Sequence, residues 1–376
     1  MELKSLIKFY RSSLCTWLGP DAKPVLLFSE SESDSNYYHK MYPSAIPVPA
    51  LSLSIPGVVD HSVTLNGTPI TTHKRFVESC AEQDEIAVNA KLVGVVDRDL
   101  DKDPNNPRLV CTDCCDIEST LACYYPDALF RLIPSNDDAY HWKVIAAAAA
   151  ASYQLNLFRS YSVALQKSHS NGSEYVGLLK HLFLCIKDSD LNRPSPDDQW
   201  NGNVCFRCLL KDDQFSLEGF FGAYVDYFIK RRSTFQTRRD DLMNVATLKD
   251  DATRRDFTDV ITRGYLDYAS QISLGGVPVY SNGQWADIAS LILPNCQGKG
   301  SIEEREAFWA MINGHYFSRF LQVLCPEYGK FVRTHETPIF EEQIRMVSLP
   351  PKDTNYRQTK MNKKISVLLG PKEKEQ

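Results

Sequence analysis

The residues in this chain best suited to chemistry are acids that close two apolar runs. VLLFSE ends on Glu30, and LVGVVDRDLDKD ends on Asp97, with Asp99, Asp101 and Asp103 following at every second position. Asp34 follows shortly after Glu30, and a third stretch, CTDCCDIEST, carries Asp113, Asp116 and Glu118. Carboxylates packed together repel, and at least one takes up a proton unless a cation sits among them. Mg2+ or Mn2+ suits such a set, being a hard cation that prefers oxygen ligands and keeps some of its waters. One or two such ions activate a water and stabilise the oxygens of a phosphodiester displacement. A plainer reading stands beside this one. An acidic turn after a strand is solvated, and Asp116 and Glu118 also suit the first turn of a helix, where the macrodipole favours negative charge. Asp101 and Asp103 lie beyond the strand end and read as solvated loop.

Strands must bring these acids together. Val25 to Phe28 and Leu92 to Val96 read as short buried strands, and RLVC as a third. DSNYYHKMY follows the first as a helix with Asp34 near its start, and THKRFVESCAEQ is a second helix. A further helix begins around Asp116 and turns Ile117, Leu121 and Tyr124 inward. Residues 44 to 72, rich in Pro, Ser and Thr, read as short strands and turns. This order predicts an α/β layer with a mainly parallel sheet flanked by helices. In such sheets ligands gather outside the carboxyl ends of the strands. If the first two strands are neighbours, Glu30, Asp97 and Asp99 converge there.

The character changes near residue 140. WKVIAAAAAASYQLNLFRSYSVALQ is a strong helix former, since Ala has the best propensity. FFGAYVDYFIKRR, RRDFTDVITRGYLDYASQI, WADIASLILP and EREAFWAMINGHYFSRFLQVL also read as helices. The expected organisation is an α/β domain over 1–140, a mostly helical domain over 141–350 that binds substrate or partner, and a loose basic tail over 351–376. Within the helical region, Lys230, Arg231, Arg232, Arg238 and Arg239 surround Phe235. Such a patch suits phosphate contacts with base stacking, or docking on a protein partner. The alternative is an ordinary charged helix end, because Asp240 and Asp241 follow directly.

The 376 residues allow one large domain or two ordinary ones, and 43% hydrophobic content describes a folded globular chain. A formal charge of −5 excludes a wholly basic nucleic-acid binder, though not local basic surfaces. No apolar run long enough to span a membrane is present, so no membrane partner is expected. Leu3, Leu6, Ile7, Tyr10 and Leu14 share one face of an N-terminal amphipathic helix, unlike the unbroken apolar core of a signal peptide. A cytoplasmic location follows as the expectation, and the eleven cysteines then read as reduced thiols, many of them buried. Cys111 with Cys114 and Cys205 with Cys208 match a zinc ligand count. The two pairs fall in different predicted regions, and zinc is the weaker reading.

LLFSESESDSNYY followed by VVDRDLD resembles the Toprim domain, with its strand-ending Glu, often Glu-Gly-x-x-Asp, and its strand-ending Asp-x-Asp. Glu30 and Asp34 match the first motif and Asp97 and Asp99 the second, whereas Ser31 stands where the family usually has Gly, with Glu32 as an alternative ligand. CTDCCDIEST is similar to the Thr-Asp and Asp-Ile-Glu stretch of OLD-like Toprim nucleases of phage-defence systems, and MINGHYFSRFL to a later Asn-Gly-His motif at Asn313, Gly314 and His315. The resemblance spans roughly residues 25 to 320. It implies a Toprim-like fold and a Mg2+- or Mn2+-dependent endonuclease in which Glu30, Asp97, Asp99 and Glu118 are catalytic. Asp34 and Asp116 would join them around the metal, with His315 beside the basic patch on nucleic acid. As in the toxin subunits of PARIS anti-phage systems, it further implies a toxic effector that cleaves host RNA, tRNA above all, and an ABC-type ATPase partner; a homodimer is compatible. A DNA-cleaving Toprim nuclease and a non-catalytic sensor or scaffold docked on the ATPase are the alternatives. A topoisomerase needs a larger body than this chain, a primase needs template-binding modules, and Arg98 and Leu100 fit poorly with a haloacid-type phosphatase.

Overall fold

Short β-rich, apolar runs separated by turn-rich segments build the sheet, and the helices between them cover it. The computed structural model describes residues 2–18, 23–50, 63–70, 72–83, 90–98, 104–133, 135–168, 214–216, 259, 263–268, 282–324 and 359–369. The chain divides into two compact units, Met1–Ala128 with Glu342–Gln376, and Leu129–Glu341.

The first unit runs α1 (Leu3–Leu18), β1 (Val25–Ser29), α2 (Glu32–Met41), β2 (Ala45–Pro49), β3 (Thr64–Leu65), β4 (Thr68–Pro69), α3 (His73–Ala81), β5 (Lys91–Val96), β6 (Leu109–Cys111) and α4 (Ile117–Tyr124). The second contributes α5 (Asp138–Ser168), β7 (Gln214–Ser216), β8 (Asn282–Gln284), α6 (Trp285–Cys296), α7 (Ile302–Trp309) and α8 (Gly314–Leu324). A last helix, α9 (Lys360–Leu369), belongs again to the first unit.

Four strands form a wholly parallel sheet in the order β2-β1-β5-β6. The α/β expectation with a mainly parallel sheet flanked by helices is met at this level. Phe28 of β1 pairs with Gly94 of β5. Alternate side chains Leu26, Phe28, Leu92 and Val96 join Leu3, Leu6 and Ile7 of α1 and Phe76, Val77 and Cys80 of α3 in one core. Phe28 and Phe76 meet edge to face, with ring centroids 6.3 Å apart. Leu27, Val93 and Val95, on the intervening positions, are buried too, as a sheet covered on both faces requires. Of the apolar stripe expected on α1, Leu3, Leu6 and Ile7 are buried; the side chains of Tyr10 and Leu14 lie outside the described residues.

Gly94 is required by close approach. A Cβ there would stand 2.6 Å from Leu109 Cδ2 and 2.9 Å from Val77 Cγ1, so α3 lies against β5 only because position 94 carries no side chain. In the β3–β4 hairpin, Asn66 and Gly67 take φ of 52° and 80°, the turn that Asn-Gly favours.

Two expectations about organisation need correction. The N-terminal stretch of the first unit runs to Ala128 where 140 was expected, and Glu342–Gln376 belongs to the same unit. The stretch expected as a loose basic tail contains α9, which contacts β5 and β6 and buries Met361, Asn362 and Ile365.

The second unit centres on α5, a 31-residue helix on which α6 and α8 pack. Its alanine run is buried on nearly every side, Ala148 to Ala151 completely, so neighbours approach the backbone closely. The segment expected as one helix, EREAFWAMINGHYFSRFLQVL, is two, α7 and α8, broken after Trp309. Asn313 causes the second start: its side-chain Oδ1 accepts from the Tyr316 N–H at 3.1 Å. The Met311 carbonyl freed by the break accepts from Asn156 Nδ2 of α5 at 3.0 Å, and Asn313 O, which takes the Phe317 N–H of α8 at 2.9 Å, accepts a second bond from Ser152 Oγ at 2.8 Å. The predicted helices FFGAYVDYFIKRR and most of RRDFTDVITRGYLDYASQI lie outside the described residues.

Candidate functional site

β1 steps outward to β2, whereas β5 lies on the other side of β1 and steps to β6. The direction of winding therefore reverses between β1 and β5, and the crevice at the carboxyl ends of those strands is where open α/β sheets bind ligands. Glu30 follows β1 and Asp97 follows β5. They meet there: the Asp97 N–H donates to Glu30 Oε1 at 2.9 Å across 67 residues of sequence.

Three more acids surround this pair. Asp34 sits in the first turn of α2, Asp116 precedes α4, and Glu118 lies in the first turn of α4. All three are buried, Glu118 completely. Burial, and then the charges of Asp34, Asp116, Glu30 and Glu118, push the Asp97 carboxyl well above the ordinary carboxylate range. Of the three acids read from the sequence as converging, Glu30 and Asp97 meet here, and Asp99 lies outside the described residues.

Each acid is set by local structure. Ser31 adopts φ −133° and ψ 166°, an extended conformation open to any residue, so this turn does not call for the Gly usual in the Toprim pattern. Its hydroxyl instead accepts from the Asp34 N–H at 3.1 Å, and Asp34 Oδ2 accepts from the Ser31 N–H at 3.0 Å, a reciprocal cap on α2. Glu32 is exposed in the same turn. Asp116 caps α4 in the same manner: its Oδ1 accepts from the Ser119 N–H, and Ser119 Oγ from the Asp116 N–H, both at 2.9 Å. Asp34 and Asp116 therefore have helix-capping roles besides their place among the acids.

The turn between β6 and α4 is knitted to the end of β5. Thr112 Oγ1 accepts from the Arg98 N–H at 3.0 Å and donates to Cys114 O at 2.9 Å. Thr120 Oγ1 accepts from the Cys114 N–H at 3.0 Å and donates to Asp116 O at 2.8 Å. Lys74, in the first turn of α3, donates from Nζ to Asp97 O at 2.8 Å and brings a cation to the crevice. Sequence reasoning does not single out Lys74, and it quotes Thr112 only as the Thr of the Thr-Asp stretch, with no role of its own. A lysine in a helix turn and a threonine after a strand carry no signal of their own, and only the packing of α3 and β6 beside β5 reveals them.

The remaining predicted residues are not brought to this crevice by the described structure. Asp99, Asp101, Asp103, Lys230, Arg231, Arg232, Arg238 and Arg239 lie outside the described residues, as do Cys205 and Cys208. His315 is exposed in the first turn of α8, in the second unit. Cys111 is half-buried, and Cys80, Cys114, Cys115, Cys123 and Cys296 are buried; none of the six forms a disulfide.

Among the described residues, no three His, Cys, Asp or Glu side chains are disposed as a ready ligand shell. In donor chemistry the set nonetheless fits a hard divalent cation: all five groups are carboxylates, and the charges of the other four bear on Asp97. Among the described residues, no helix is long and apolar enough to cross a membrane. Comparison with models of protein families, with curated proteins and with solved structures finds no match to this chain.

Proposed function

We propose that this chain is a Mg2+- or Mn2+-dependent nuclease of the Toprim type, and that it hydrolyses phosphodiesters of nucleic acid, RNA and especially tRNA, as the toxic effector of an anti-phage system. The observation that carries the reading is the meeting of Glu30 and Asp97 at the reversal point of a parallel sheet, with Asp34, Asp116 and Glu118 around them. The resemblance of the Glu30/Asp34 and Asp97/Asp99 motifs to the Toprim pattern supports it. So does the cost of keeping buried acids together, since helix capping accounts for Asp34 and Asp116 but not for Asp97 or Glu118.

In this reading Glu30, Asp97 and Asp99 hold the cation, with Glu118, Asp116 and Asp34 completing the acidic wall. When bound, the cation supplies Lewis-acid polarisation of a phosphoryl oxygen and a more acidic water. The protein's own contribution is orientation. Glu30 is fixed by the Asp97 N–H, the Asp97 backbone by Lys74, and Asp116 by its cap on α4. Basic side chains such as Lys230, Arg231, Arg232, Arg238 and Arg239 would hold the substrate backbone, and an ABC-type ATPase would restrain the effector.

Sequencing the RNA and DNA ends produced on expression, with Glu30→Ala as control, tests the proposal. New RNA ends with wild type and none with Glu30→Ala are the expected result. New DNA ends alone would make the chain a DNA nuclease. No new ends from either protein, with binding to an ABC-type ATPase retained, would leave it a non-catalytic scaffold.

A further inference from the structure

The C-terminal helix α9 reaches the acid-bearing turn through one residue, Asp113. Its carboxylate Oδ1 accepts from the Met361 N–H at 2.8 Å, across 248 residues of sequence. Met361 lies in the first turn of α9, where backbone N–H groups have no partner within the helix. Thr359 Oγ1 takes the next of them, from Asn362, at 3.0 Å. Asp113 is buried, so its charge faces the positive end of α9 with little water between them.

Other bonds fasten α9 along its length. Tyr42 OH donates to Asn362 Oδ1 at 2.7 Å, Lys364 Nζ to Leu109 O at 2.9 Å, and Lys91 Nζ to Leu369 O at 2.9 Å. Tyr38 OH stands 3.6 Å from Met361 Sδ. The helix is thus tied to α2, β5 and β6, the elements whose ends carry the acids.

The path from Asp113 inward is continuous. Its neighbours Thr112 and Cys114 hold Arg98, next to Asp97, on one side, and Thr120 with Asp116 on the other. We propose that Asp113 is a positioning residue, not a metal ligand, and that docking of α9 on it sets the turn that places Asp116 and Glu118 beside Asp97. A chain with α9 undocked would keep its sheet and lose the arrangement of its acids.

This inference rests on the reading of the acids as a cation site, and two readouts keep the two apart. Amide hydrogen exchange at Cys114, Ser119 and Thr120 reports the turn, and titration with Mn2+ reports the cation site. Asp113→Ala should speed exchange at those amides and weaken Mn2+ binding, each by about tenfold or more, the factor for losing a hydrogen bond to a charged group. Asp113→Asn keeps the acceptor oxygen and should restore most of both. Tyr42→Phe unfastens α9 without touching the turn, and serves if Asp113→Ala does not fold. It should speed exchange in residues 359–369 and in the turn together. Faster exchange in α9 with an unchanged turn, or a loosened turn with unchanged Mn2+ affinity, would overturn the inference. A loosened turn in a protein whose wild type binds no Mn2+ would uphold the mechanical link and remove the cation reading instead.

Discussion

The Asp97 N–H donates to Glu30 Oε1 at 2.9 Å, so the two acids that close neighbouring strands are joined by a backbone bond and not only by proximity. Glu30 therefore has a structural duty as well as a proposed chemical one, and substitutions can divide them. Glu30→Gln keeps the accepting oxygen and removes the charge, whereas Glu30→Ala removes both. The Gln variant should melt close to wild type and lose divalent-metal response and cleavage. The Ala variant should lose about 1.5–3 kcal/mol in addition, the range for a hydrogen bond to a charged acceptor. Thermal melts and a cleavage assay on the two variants side by side decide this.

Asp97 gives the metal-free protein a pH dependence of known sign. Burial, and then the charges of Asp34, Asp116, Glu30 and Glu118, raise its folded-state pKa above that of the unfolded chain. The folded protein then binds the proton more tightly, and stability falls as pH rises. This loss is absent below the ordinary carboxylate pKa of about 3.9 and complete above the raised value. Asp97→Asn removes it. In chelator, the Asn variant should melt above wild type at neutral pH, and the two should converge as the pH approaches about 4. A variant less stable than wild type at neutral pH would place the repulsion elsewhere.

A cation relieves the same repulsion from outside. Mg2+ or Mn2+ at a hundred times its dissociation constant should stabilise wild type by about 2.7 kcal/mol, reversed by chelator. The double variant Glu30→Gln/Asp97→Asn should show no such response. An equal rise in Tm in wild type and double variant would mean that the ion binds at some other place.

What the sequence reveals follows the range of the interactions involved. Glu30 and Asp97 were legible because a strand ends where its apolar run ends, and parallel neighbours bring such ends together. The break before α8 was not, since Asn313 reads as one more helical residue until its side chain caps α8 and Asn156 takes up the freed Met311 carbonyl. Nor was α9: Met361 and Ile365 are a thin stripe on a lysine-rich segment, and its attachment depends on Asp113, Tyr42 and Lys91, each far away in the chain. Ser31 looked like a departure from a glycine turn, yet its hydroxyl performs a cap that glycine would lack.

The closeness of α3 to β5 makes Gly94 a second test of the sheet. Any Cβ at this position meets Leu109 at 2.6 Å and Val77 at 2.9 Å, both within the core beneath Asp97. Gly94→Ala should destabilise by about 1–3 kcal/mol, the usual cost of overpacking. Combining it with Val77→Ala should recover part of that loss, since one of the two clashing side chains is then shortened. Denaturant unfolding of the single and double variants measures both, and full additivity of the two losses would show that Val77 does not confine position 94.

The Asn-Gly-His segment invites a functional reading that the structure lets one test separately. Asn313 caps α8 through its side chain, while its carbonyl is held by Ser152 of α5. Asn313→Ala should cost about 1 kcal/mol, the usual value for a lost N-cap, and Asn313→Asp, which keeps the accepting oxygen, should cost little. If capping is the whole role of Asn313, cleavage by the Asp variant should stay at the wild-type level, and any deficit in the Ala variant should follow its stability as temperature is varied. An Asp variant that melts like wild type and no longer cleaves would instead give the segment a part in substrate handling. His315, exposed one residue beyond Gly314, would then be the side chain to replace next.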